Sequence, residues 1–184
     1  TVTAAVTVFG VMTAHGLLET ARDALFLARI PAEQLPWVYL SIAGIAFALS
    51  QIGGRRGAVT KAAHLEAWIA GAAVVTGGLR TLLGSTSTIE LYALYIWSGV
   101  QSTAILLVFW TLLGGRFTVT RAKRVFAVVG AGSVAGAITG TALAGVLTRL
   151  VPPHELVTGA SVVLAATAFV PLIGLRDDAP AAGD

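Results

Sequence analysis

The sequence predicts an all-α integral membrane domain of six transmembrane helices. Three observations carry this. The 184-residue chain is 56% hydrophobic and only 11% charged, with a mean hydropathy of +0.85, whereas a soluble domain is about 25% charged. Its apolar residues gather in runs close to the roughly 20 residues that cross a bilayer. Its basic residues fall between those runs, mostly in alternate loops. A soluble enzyme of this length would have to hide more apolar surface than its core can hold, and the same apolar content excludes disorder.

Six runs are marked, over about Val2–Ala28, Trp37–Gly53, Leu65–Leu83, Ile89–Leu113, Val125–Leu147 and Glu155–Leu175. Each is taken as a helix, because membrane barrel strands would alternate apolar and polar residues over about ten positions. The first run is interrupted by charge and the second is short. The third and fourth carry tryptophans; Trp37, Trp68 and Trp110 lie near span ends, as an aromatic belt would place them, while Trp97 sits mid-span. The fifth is glycine-rich. The sixth follows Pro152-Pro153. The membrane domain covers 1–175 and a polar tail or linker covers 176–184.

The loops carry the orientation. Arg55, Arg56, Lys61, Arg116, Arg121, Lys123, Arg124 and Arg176 fall on one side of the predicted layout, and Arg29, Arg80 and Arg149 on the other. That asymmetry places both termini and both basic loops in the cytoplasm. The pI near 9.8 therefore belongs to topology and not to nucleic-acid binding; the lipid bilayer is the expected partner. The chain begins at Thr1 without an initiator Met or signal-peptide pattern, so it is expected to be a processed chain or a fragment. An even number of spans with both ends inside equals two triplets, about 1–84 and 85–175, in opposite orientation. That is the 3+3 inverted-repeat layout of one half of a major facilitator-type carrier.

Charge inside a span is costly and marks function or a specific partner. His15, Glu19 and Asp23 are spaced i, i+4, i+8, on one helix face, with Arg22 three residues from Glu19. Arg22 is a candidate contact for an anionic substrate, with the carboxylates tuning or coupling its charge, or relaying a proton. Two other readings fit the same residues: Arg22 neutralised by Glu19 or Asp23 to hold helices together, or an early helix end with Arg22 and Asp23 at the headgroups. In the fourth run, Glu90, Trp97 and Gln101 fall near one face, flanked by Ser98 and Ser102. Trp97 and Gln101 are candidate cavity-lining residues, and Trp97 could stack on a base; packing plus a hydrogen-bonded Gln is the alternative.

Val128-Val-Gly130-Ala-Gly132-Ser-Val-Ala135 fits the G-x-G-x-x-G/A spacing, but no strand precedes it and no acid follows before Glu155, so the dinucleotide reading fails. Gly132, Gly136 and Gly140, four residues apart, are instead expected to let helix backbones approach. Arg80 and Glu90 could pair across the outer loop. His64 and His154 fall at span ends. No metal-ligand set, cofactor motif or catalytic arrangement is present, and no enzyme is expected.

Leu18-Glu-Thr-Ala-Arg22-Asp23-Ala-Leu25 followed by Ile30-Pro-Ala-Glu33-Gln-Leu-Pro36 resembles the first span and following loop of the ATP/ADP translocase (nucleotide transporter) family. Phe109-Trp110, Arg121-Ala-Lys-Arg124 and Gly130-Ala-Gly132-Ser-Val-Ala-Gly136 resemble its fourth and fifth spans. The likeness covers roughly residues 8–145 and is strongest to a bacterial branch joined to HEAT repeats or a cyclic-nucleotide-binding domain. The chain has Arg22 where the family usually has Lys, and Glu19 where transporting members commonly have a basic residue.

The resemblance implies a major facilitator fold in a bacterial inner membrane, moving an organic anion such as ATP or ADP by alternating access. It also implies gating roles for the loop carrying Arg55, Arg56 and Lys61, with Glu66 as the acid nearby, and for Arg121, Lys123 and Arg124; lipid-phosphate contact is the alternative for both loops. A fifth span packed against a second six-span half follows as well. The alternative function is a non-transporting anchor or dimerisation module, working as a homodimer or carrying a cytoplasmic soluble domain.

Overall fold

The structure is a computed structural model of the 184-residue chain and describes residues 1–55, 62–82, 87–114 and 119–174. The described residues form six α-helices: α1 (Val2–Leu27), α2 (Leu35–Arg55), α3 (Ala62–Leu82), α4 (Thr88–Gly114), α5 (Val119–Leu147) and α6 (Pro153–Gly174), with a short 3-10 turn at Ala32–Gln34 before α2. The termini have local causes. Ser87 and Glu90 form a reciprocal cap at the start of α4: Ser87 Oγ accepts from the Glu90 N–H and Glu90 Oε2 accepts from the Ser87 N–H, both at 3.3 Å. Pro153 opens α6, where its missing N–H costs nothing.

Five of the six helices are long and apolar enough to cross a membrane. The sixth, α3, has 21 residues, carries His64, Glu66 and Arg80, and is not among them. The six predicted runs thus correspond to six helices, while only five qualify as spans by composition. Large apolar side chains face outward all around the bundle, among them Trp37, Phe47, Val74, Ile138, Val162 and Phe169. Polar side chains such as Thr7, Thr76, Ser98, Gln101 and Ser102 are buried inside. An exterior this apolar suits surroundings that are themselves apolar.

Helix directions follow from the contacts. Ala5, Phe9 and Thr13 of α1 meet Gly132, Gly136 and Gly140 of α5 in the same order, so α1 and α5 run parallel. His15 and Arg22 meet Ser102 and Ser98, so α1 and α4 run antiparallel. Gly10 and Leu17 meet Thr167 and Gly159, so α1 and α6 are antiparallel too. Ala73 and Arg80 meet Ser161 and Glu155, and Tyr39 and Ile42 meet Tyr95 and Gly99; α3 is antiparallel to α6 and α2 parallel to α4. Successive helices therefore alternate in direction. The start of α1, the end of α2, the start of α3, the end of α4, the start of α5 and the end of α6 share one end of the bundle.

The helix pairs that pack extensively are α1 with α4, α5 and α6, α3 with α4 and α6, and α2 with α4. Exchanging α1 with α4, α2 with α5 and α3 with α6 maps this set onto itself. The core divides into two apolar clusters along the helix axes. One gathers Val8, Leu65, Ile69, Phe109, Val129 and Leu164; the other gathers Leu18, Phe26, Leu94, Tyr95, Leu156 and Val157. Thr13, Thr76, Ser98, Gln101 and Ser102 lie between them, midway along their helices.

The glycine stripe of α5 faces α1 of the same bundle. A Cβ on Gly132 would sit 2.8 Å from the Ala5 carbonyl oxygen, and Cβ atoms on Gly136 and Gly140 would collide with the carbonyls of Phe9 and Thr13. Thr13 Oγ lies 2.8 Å from the Phe9 carbonyl and 3.2 Å from that of Gly136, tying the helices together. The expectation that this stripe serves a second half is therefore corrected: side-chain-free contact is spent on α1, because Ala5, Phe9 and Thr13 repeat with the same four-residue period.

Candidate functional site

The polar stripe of α1 lies on the side that faces α4. Arg22 is the centre: its side chain is 7% exposed. Nη2 donates to Glu19 Oε1 at 3.0 Å, Nε donates to Asp23 Oδ1 at 3.3 Å, and Nη1 crosses to Ser98 Oγ of α4 at 3.0 Å. The guanidinium carbon stands 4.4 Å from the centroid of the Tyr95 ring, a stacking that favours the cation when water is excluded. The planar, five-donor head of arginine suits this many-sided coordination.

The other polar groups extend from that centre. His15 lies one turn below Glu19, with Nε2 3.4 Å from Glu19 Oε1 and Nδ1 2.8 Å from Ser102 Oγ. Ser98 donates to the Tyr95 carbonyl and Ser102 to the Ser98 carbonyl, both at 2.8 Å, in the i−3/i−4 manner that lets a hydroxyl sit in an apolar helix. The Tyr95 and Tyr39 hydroxyls are 3.0 Å apart with their rings edge to face, so the network reaches α2. Glu19 and Asp23 keep about half of their side chains open, at 40% and 48%. The cation is thus sealed while its two carboxylates face outward.

The spacing His15, Glu19, Arg22, Asp23 is brought together as one cluster in the middle and upper part of α1. Trp97 and Gln101 are not in it. They face α3, where Trp97 Nε1 donates to Thr76 Oγ at 3.0 Å and Thr76 Oγ donates to Gln101 Oε1 at 3.1 Å. One edge of Trp97 lines a shallow apolar groove of about 330 Å³ with Trp68, Gly71 and Val75. Successive residues on a helix are turned by about 100°, which is why Ser98 meets α1 while its neighbour Trp97 meets α3.

Tyr95, Ser98, Ser102 and Tyr39 complete the Arg22 network, and Thr76 joins Trp97 to Gln101; none of them was singled out as a site residue from the sequence, although Ser98 and Ser102 flank the stripe on α4. The signal of Ser98 and Ser102 was the repeated hydroxyl at i, i+4 in a helix otherwise apolar all round. Arg80, expected near Glu90, donates to Glu155 Oε1 of α6 at 2.7 Å, with His154 Nε2 3.4 Å from the same oxygen. Lys123 and Arg124 are exposed at the start of α5. Arg56 and Lys61 and the side chains of Arg55 and Arg121 lie outside the described residues. Glu66, the acid considered for that loop, is buried, and its Oε1 has no hydrogen-bond partner among the described residues. No group of three or more His, Cys, Asp or Glu able to hold a metal ion occurs among the described residues.

No family model matches the chain, and neither a curated protein nor a solved structure matches it.

Proposed function

We propose that the bundle is one six-span half of an alternating-access secondary transporter in a bacterial inner membrane, with both termini cytoplasmic. A second six-span half or a second copy would complete it. The carrying observation is Arg22, sealed midway between two half-open carboxylates in a helix apolar enough to cross a membrane. Ionised groups at such depth are costly and are kept for substrate or ion handling. The exchange relationship among packed helix pairs supports an inverted repeat, whose sites lie at the repeat interface near the midplane. Here the α1–α4 contact that holds Arg22 and Ser98 is one part of that interface.

The solute in this reading is an organic anion, with ATP or ADP as the class that the translocase resemblance implies. Arg22 meets an anion by exchanging partners: a phosphate or carboxylate of the solute replaces Glu19 or Asp23 on the guanidinium, and the displaced carboxylate turns to water. Bidentate anion binding is what arginine does best. Uptake of labelled ATP into proteoliposomes tests this. Arg22→Ala abolishes uptake while helicity and thermal unfolding stay those of a folded protein; uptake equal to wild type overturns the assignment.

The closed state of Arg22 favours a second reading. A guanidinium satisfied by its own helix and by Ser98 is also how a static anchor or dimerisation module would neutralise charge. In that case Arg22→Ala lowers thermal stability and changes no flux.

A further inference from the structure

We infer that His15 is a proton-binding site of this cluster and that Ser102 is built to serve both of its protonation states; the coupling role drawn below rests on the transport reading. The argument starts from one hydroxyl proton with two acceptors. Ser102 Oγ is 2.8 Å from His15 Nδ1 and 2.8 Å from the Ser98 carbonyl oxygen. When His15 is neutral with its proton on Nε2, that N–H points to Glu19 Oε1 at 3.4 Å, and Ser102 donates to the bare Nδ1. When a second proton binds at Nδ1, the new N–H donates to Ser102 Oγ, and the Ser102 proton swings to the Ser98 carbonyl. Both states are hydrogen-bonded without movement of any heavy atom.

The charge balance favours such a site. With His15 neutral, Glu19 and Asp23 outnumber Arg22 by one negative charge; a proton on His15 brings the cluster to zero. An uncompensated charge at membrane depth is costly, so a single proton is the smallest ligand that removes it. The groups facing His15 are few. On α1 they are Glu19 and, beyond it, Arg22; on α4 they are Ser102 and, further up, Ser98 and Tyr95, whose hydroxyl meets Tyr39 of α2. The faces of α5 and α6 packed on α1 contain no titratable residue between Val125 and Leu147 or between Leu156 and Gly174.

The consequence reaches Arg22 through one shared atom. Glu19 Oε1 accepts from Arg22 Nη2 and faces His15 Nε2. An imidazolium at His15 draws Glu19 toward itself and loosens its hold on Arg22, which frees guanidinium donors for an anion. By linkage, anion binding then raises the proton affinity of His15 by the same factor.

The test uses the full chain in lipid nanodiscs with nitrogen-15 histidine; the chain has 3 His, so His15 is assigned by its loss in His15→Gln. The expected result is a neutral Nε2–H tautomer at high pH that converts to the doubly protonated ring as the pH is lowered. Glu19→Gln lowers the proton affinity of His15 about tenfold, the size expected from losing one adjacent negative charge. A wild-type His15 that keeps one protonation state at every pH at which the protein stays folded overturns the inference, as does a neutral Nδ1–H tautomer. Those wild-type outcomes decide the matter even where Glu19→Gln fails to fold; a folded Glu19→Gln that titrates like wild type also overturns it. The measurement needs no transport, so a chain that titrates as expected yet moves no solute overturns the carrier reading and leaves the proton site standing.

Discussion

Arg22 of α1 donates to the Ser98 hydroxyl of α4 over 3.0 Å, and Ser98 sends its own proton to the Tyr95 carbonyl at 2.8 Å. The positive charge is thereby fastened across the central helix pair and not only to its own helix. Ser98→Ala removes that acceptor and leaves a buried guanidinium N–H unsatisfied. The expected cost is about 1–3 kcal/mol, seen as a lower thermal unfolding temperature in detergent or nanodiscs. Anion uptake falls with it, because Arg22 loses the contact that fixes its orientation.

The tyrosine pair makes a separate prediction. Tyr39→Phe deletes one end of the 3.0 Å contact between α2 and α4 and costs about 0.5–1.5 kcal/mol. Tyr95→Phe costs at least as much, since Asp23 also approaches its hydroxyl. The double variant matches Tyr95→Phe, because the shared bond is lost only once; a double-mutant cycle of unfolding free energies reads this directly.

Thr76→Val separates packing from substrate contact. Thr76 accepts from Trp97 and donates to Gln101, so its loss leaves two polar groups unsatisfied inside the bundle. Thermal stability drops by about 1–3 kcal/mol. ATP affinity in proteoliposome uptake stays at the wild-type value, because this chain lies between α3 and α4, away from Arg22. A changed affinity at unchanged stability would restore Trp97 to the substrate cavity.

Gly136 and Gly130 behave oppositely. A Cβ at Gly136 runs into the Phe9 carbonyl, whereas nothing lies within 4 Å of one at Gly130. Gly136→Ala forces α1 and α5 apart and destabilises by about 1–3 kcal/mol. Gly130→Ala stabilises by about 0.5–1 kcal/mol through helix propensity. Parallel melting curves of the two variants check both signs.

The helices and the polar stripe of α1 were legible in the sequence because each rests on local pattern. Apolar run length gave six helices, with ends within a few residues of those found except at the start of α5. The i, i+3, i+4 rule placed His15, Glu19, Arg22 and Asp23 together. Partner choice across helices was not legible. α4 is apolar nearly all round, so its sequence carries no marker of which face meets α1 and which meets α3. Trp97 and Ser98 are neighbours in sequence yet serve different helix pairs. The glycine period announced close approach but not its partner; only the matching four-residue period of the Ala5, Phe9 and Thr13 carbonyls, seen once the helices are paired, identifies α1. Arg80 chose Glu155 over Glu90 because α3 packs along α6, a tertiary fact.

The backbone-to-backbone seam between α5 and α1 has a mechanical meaning. Side chains absorb sliding by changing rotamer, but a seam of glycine against carbonyl has no such slack. Its next register lies a full four residues away, about 6 Å along the axis. α1 and α5 therefore act as a single beam. α2, whose extensive helix contact is with α4 alone, is the plank most easily lifted from it, and the Tyr39–Tyr95 bond is the nail that holds it down.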